Sequence, residues 1–139
     1  MTSVKKIALV SAVLFLTYSC SKVPISNRKQ MNLIPESEMV SMSLTSYKEF
    51  LSQNPPAPSS DADAQMVKRV GGKIQAAVVT YMNQNKLGSR ISNYKWEFNL
   101  VNSKEVNAWC MPGGKVVVYS GLLGVTQDEP SLAIVMGHE

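Results

Sequence analysis

The 139-residue chain holds one histidine, two cysteines and no apolar run of transmembrane length. One histidine excludes a metal site built from several imidazoles of this chain alone. Two cysteines, Cys20 and Cys110, exclude a disulfide framework. The longest apolar stretch, Ile7 to Leu16, is about half of the roughly 20 residues that span a bilayer. Charged residues are sparse at 17%, and no Lys/Arg cluster with interleaved aromatics is present. Nucleic acid is therefore excluded as a partner class. No glycine-rich phosphate loop or dinucleotide fingerprint occurs, which removes nucleotide chemistry.

What is present begins with an export signal. Lys5 and Lys6 precede the apolar stretch, and Thr17-Tyr18-Ser19-Cys20 follows it. These two lysines account for half of the net charge of +4, so the basic pI carries no message about partners. A small residue before a cysteine at this place resembles a bacterial lipobox, with Leu16 one place early and Tyr18 bulky for the pattern. The resemblance implies a signal peptide over 1–19, lipid on Cys20 and a membrane partner reached through that anchor. It also implies a bacterial cell-envelope location, and the lack of an Asp after Cys20 points to the outer membrane facing the periplasm. Residues 20–34 are polar and aperiodic, as in a tether.

The rest of the chain predicts an α+β domain over 35–139. Pro35, Glu36 and Glu38 suit a helix start, and Met39, Met42, Tyr47, Phe50 and Leu51 supply an apolar stripe to Gln53. Asn54-Pro-Pro-Ala-Pro breaks it. A second helix follows from Asp61 to Lys86, capped by Ser60, with Val67, Val70, Ile74 and Val78 on one face. Gly71-Gly72 inside it predicts a close contact or a kink. Trp96, Phe98 and Leu100 alternate with polar residues, as in a half-buried strand. Val106–Cys110 and Lys115–Tyr119 read as a hairpin around Met111-Pro-Gly-Gly114, completing a small antiparallel sheet. Cys110 reads as a small buried hydrophobe in this hairpin. Ser120–Gly124 makes a helical turn. Thr126 with Glu129, or Asp128, can cap a final helix that is apolar all round at Leu132–Met136 and so buried.

That helix ends Gly137-His138-Glu139. A His-Glu pair at this place is how a His-Glu-x-x-His metallopeptidase helix begins. Residues four apart share a helix face, so two imidazoles there hold one zinc. The Glu acts as general base on a water whose pKa zinc lowers from about 15.7 to about 7. His138 is thus the candidate metal ligand and Glu139 the candidate catalytic base. The pair occurs by chance about once in 400 positions, and a surface His near a helix C-terminus is equally ordinary. Burying His138 and Glu139 at the end of an apolar helix without partners would cost several kcal/mol, which favours a metal.

Four blocks in order carry a family resemblance: Asn107-Ala108-Trp109, Pro112-Gly-Gly-Lys115, Val118-Tyr-Ser-Gly-Leu-Leu123, and Leu132-Ala-Ile-Val-Met-Gly-His-Glu139. They resemble family forty-eight of the zinc metallopeptidases, the family of the CAAX prenyl proteases and HtpX, in its soluble periplasmic lipoprotein branch. Trp109 stands where that branch usually has Phe. The resemblance implies a zincin-like fold, a Zn2+ cofactor and endoproteolysis of peptides or misfolded envelope proteins. It makes Asn107, Ala108 and Trp109 the edge strand that binds substrate by backbone pairing, Trp109 itself being a core side chain. It makes Gly113 and Gly114 turn residues and Gly137 a close-packing position. With one zinc ligand in 139 residues, the chain as it stands is expected to be inactive. The competing expectation is a non-catalytic envelope lipoprotein that binds peptides or a partner along the same edge.

Overall fold

The computed structural model describes residues 20–22, 28–31 and 34–139. Residues 1–19, read above as the signal peptide, lie outside them. Cα packing divides the chain into two compact units, up to Glu38 and from Met39 onward. In the first unit, β1 (Cys20–Lys22) pairs antiparallel with β2 (Lys29–Met31), so the stretch read as a plain tether carries a short ladder. No described helix is long and apolar enough to cross a membrane.

Helix α1 (Glu36–Gln53) follows Pro35, whose carbonyl accepts the Glu38 N–H at 3.0 Å. Helix α2 (Ala62–Gln84) is capped by Asp61 rather than Ser60. The Asp61 N–H is tied back to the Pro58 carbonyl, leaving Asp61 as the last extended residue. Its carboxylate then accepts the Ala64 N–H at 2.9 Å. The helix runs unbroken through Gly71-Gly72, so neither glycine makes a kink and Gly71 alone marks a contact. The Phe98 ring lies over Gly71, and a Cβ there would sit 2.3 Å from ring atoms.

Three strands form the sheet: β3 (Glu97–Val101), β4 (Ala108–Met111) and β5 (Lys115–Tyr119), in the order β3-β5-β4. The β4–β5 hairpin is antiparallel, with Gly113 (φ 90°) and Gly114 (φ 79°) making its turn. β3 runs parallel to β5, which corrects the all-antiparallel expectation to a mixed sheet within the expected α+β class. The reason lies in β5. Val116, Val117 and Val118 are buried on both faces, and a two-sided apolar strand belongs in the centre with a partner on each side.

One sheet face carries Leu100, Ala108, Val116 and Val118 against Val67 and Val70 of α2. The other carries Val101 and Val117 against Tyr47, Phe50 and Trp109. A polar cluster completes this second face. Lys115 is 3% exposed, its ammonium donates to the Glu97 carboxylate and the Lys95 carbonyl, and it lies 5.6 Å from the Tyr47 ring centroid. Asn99 Nδ2 donates to the Tyr47 hydroxyl at 2.6 Å.

Burial is the main cause that pushes the Tyr47 hydroxyl from 10.0 up to about 12, helped by the nearby Glu97 and opposed by the Asn99 hydrogen bond. A folded-state value above the unfolded one means stability that is complete below pH 10 and is lost as pH rises toward 12. The shift corresponds to about 2–3 kcal/mol. Denaturant titrations of wild type and Tyr47→Phe across pH 8–12 are therefore expected to differ by a constant amount up to pH 10. Above that the gap should move in favour of Phe; a gap that stays constant to pH 12 would refute the burial argument.

Helix α3 (Ser120–Thr126) leaves β5 directly. Gly121 lies against the Lys104 and Glu105 carbonyls, where a Cβ would approach to 2.5 Å, a close approach that no sequence pattern had flagged. Gln127, at φ 60°, ends the helix. Asp128 then caps α4 (Glu129–His138) and accepts the Ser131 N–H at 2.8 Å. Thr126 takes no part in that cap; it is buried and its hydroxyl donates to the Leu122 carbonyl. Leu132 and Met136 are buried, but Ile134 is 75% exposed. The expectation of a helix buried all round is thus corrected. α4 packs on α2, α3 and β4, and the side away from them is open among the described residues.

Candidate active site

His138 closes α4 and Glu139 is its C-cap, with the Glu139 N–H bonded to the Val135 carbonyl at 3.3 Å. Both side chains are exposed. The desolvation argument for a metal therefore does not apply here; water already solvates both groups. What positions them is the inner face of α4. Met136 packs in the same cluster as Ala108 of β4, which brings the last turn of the helix to the outer strand of the sheet.

Cys110 marks how close the two elements come. It is exposed, not buried as the sequence suggested, because β4 is an edge strand. Its thiol is nevertheless pushed up, first by partial desolvation and then by the Glu139 carboxylate. Glu139 and Cys110 thus share one electrostatic neighbourhood.

The edge strand presents its groups in a definite pattern. The Asn107 carbonyl accepts the Tyr119 N–H at 3.0 Å, and Ala108 stands opposite Val118 and Trp109 opposite Val117. Antiparallel pairs alternate, so Asn107 and Trp109 point their backbone groups inward to β5 while Ala108 and Cys110 point theirs outward. Ala108 is 6% exposed, which leaves Cys110 as the outward group open to solvent. Trp109 turns its side chain to the face away from α4. Its ring meets Phe50 edge-on at 5.0 Å, and its Nε1 donates to the Tyr119 hydroxyl at 3.4 Å. The core reading of that indole holds. Asn107 is exposed at the head of the strand. Sequence reasoning did not select Cys110 for the site; only the pairing register singles it out.

Gly137 does not serve close packing, since nothing lies within 4 Å of where its Cβ would be. Cys20 heads β1 in the other compact unit. Among the described residues, no three His, Cys, Asp or Glu side chains converge on a common point. The described groups therefore do not by themselves hold a metal.

The described site is a helix whose exposed end carries a His-Glu pair beside the outer strand of a mixed sheet. Residues 71–139 match the pattern of peptidase family M48. The chain is similar to the mitochondrial metalloendopeptidase OMA1 of Schizosaccharomyces pombe, 34% identical over 119 residues, 84% of this chain and 32% of the relative. It is 26% identical over 130 residues to the OMA1 enzyme of Saccharomyces cerevisiae, 91% of this chain and 37% of that protein. The beta-barrel assembly-enhancing protease of Escherichia coli is 38% identical over 61 residues, 40% of this chain and 12% of that one. The chain thus spans about a third of the length of the OMA1 relatives it matches in the two yeasts. The relatives that cover most of the chain are named as mitochondrial. This overturns the bacterial outer-membrane location expected from the N-terminal segment, whose lipobox-like pattern departs at Leu16 and Tyr18.

Proposed function

We propose that this chain forms part of a zinc metalloendopeptidase that cuts peptides or unfolded proteins. His138 is one metal ligand and Glu139 the general base that takes a proton from the attacking water. Zinc, when bound, supplies Lewis acidity toward the scissile carbonyl. The observation that supports this reading best is the placement of the exposed His138-Glu139 end of α4 beside the open edge of β4. An extended peptide lying along that edge would pair with the β4 backbone. The segment Asn107-Ala108-Trp109 provides the strand, with Ala108 and Cys110 aimed outward. The domain begins near residue 35, after a signal segment over 1–19 and a connecting segment over 20–34.

A second reading, a non-catalytic module that binds peptides along β4, is favoured by the absence of a three-donor cluster among the described residues. One comparison separates the two. The 139-residue chain is expected to bind zinc without specificity and to leave casein uncut. A version extended with a second histidine four positions after His138 and a later acidic ligand is expected to bind one zinc and to cut casein, with chelator stopping the cleavage. An extended version that binds peptide equally well with and without chelator and never cleaves it would support the second reading.

A further inference from the structure

We propose that Arg69 and Lys73 of α2 are positioning residues that set where the His138-Glu139 end of α4 lies. Both reach Glu129 in the first turn of α4. Arg69 Nε and Nη2 donate to one carboxylate oxygen at 3.1 and 2.8 Å, and Lys73 Nζ donates to the other at 3.0 Å. Both carboxylate oxygens are engaged by cations from a single neighbouring helix, and these bonds hold the Glu129 carboxyl below its ordinary range.

Apart from this ion pair and the Asp128 cap, α4 is held on α2, α3 and β4 chiefly by apolar contacts. Its buried residues are Leu132 and Met136, one turn apart. Apolar contacts are non-directional and tolerate a small slide or roll of the helix. A charge-assisted fork does not, because its donors must stay in line with the oxygens. Glu129 lies three residues before Leu132 and seven before Met136, so all three share the face turned to α2. His138 and Glu139 lie about 13–15 Å further along the axis at 1.5 Å per residue. A slide at Glu129 is therefore carried in full to the reactive end. The functional meaning rests on reading that end as catalytic; the geometric claim does not.

The test uses the 139-residue chain and amide hydrogen exchange, which needs no metal and no turnover. In Arg69→Met/Lys73→Met, the Leu132–Met136 amides are expected to exchange about threefold to tenfold faster, while α1 and the thermal midpoint hardly change. Glu129→Gln should give the same local effect, and the triple variant no more than either. Arg69→Lys should recover part of it. In wild type, 1 M salt should bring α4 exchange to the level of the double variant, which should itself be insensitive to salt. Additive effects of the two sides, equal loss of protection in every helix, or unchanged α4 exchange would each overturn the proposal. Failure of catalysis in an extended chain with the clamp behaviour intact would instead count against the enzymatic reading alone.

Discussion

Replacing Glu139 by Gln is expected to lower peptide hydrolysis by a ligand-complete form of this protein about 10²-fold to 10⁴-fold, with zinc affinity unchanged. The amide keeps the size and hydrogen-bonding reach of the carboxylate but cannot take a proton from water, and loss of general-base catalysis has this magnitude. Glu139 is exposed at the C-cap of α4, so the substitution removes no buried packing. The thermal midpoint should stay within the range usual for surface changes, about 0.5 kcal/mol. His138→Ala should differ in kind, abolishing zinc binding together with activity. The assay pairs steady-state casein cleavage with zinc titration for both variants. A Glu139→Gln protein that cleaves at the wild-type rate would remove Glu139 from the mechanism.

Two adjacent glycines should respond in opposite directions. At Gly71 a Cβ would lie 2.3 Å from Phe98 Cδ1 and Cγ and 2.7 Å from Cε1, a distance that no rotamer change of the new residue avoids. The ring cannot retreat freely, because it stacks on Trp96 at 6.2 Å and packs against the main core. Overpacking of this kind costs about 1–3 kcal/mol for Ala and more for Val. This outweighs the gain of about 1 kcal/mol from replacing a helical Gly. At Gly72 nothing lies within 4 Å, so Ala there should show the propensity gain alone. Gly71→Ala combined with Phe98→Ala should relieve the clash and behave as a simple cavity variant. Denaturant midpoints of the four proteins decide the matter, and a Gly71→Ala protein as stable as Gly72→Ala would refute the close approach.

Much of this fold is visible in the residue pattern because it rests on local rules. The periodicity of Val67, Val70 and Ile74 placed α2, and the Pro-Gly-Gly turn placed the hairpin. What stayed hidden depends on who neighbours whom. That β3 pairs with β5 in parallel requires knowing that β5 is central, and an unbroken apolar strand hints at this without naming its partners. The apolar run at Leu132–Met136 read as a buried helix, yet Ile134 faces outward, since composition does not say how many sides have a neighbour. The same gap explains Cys110. An apolar context suggested burial, but Cys110 lies on the outer strand of the sheet and is exposed there. At the site, His138 and Glu139 could be chosen from chemistry alone. The outward pointing of Ala108 and Cys110 could not, because it depends on the hydrogen-bond phase fixed by Asn107 and Tyr119.

The margins of the sheet are unequal. Beyond β3, the Ala57 N–H bonds to the Leu100 carbonyl at 2.8 Å and Pro56 bridges Val101, so that side is stoppered by the loop after α1. Beyond β4, no hydrogen bond from another element closes the ladder among the described residues. The sheet can therefore grow in one direction only. Any strand that joins it, whether a polypeptide to be cut or the β4 of a second copy, must take the same berth. Crowding this protein with itself and offering it a ligand are then rival outcomes at a single place, and dilution favours the ligand.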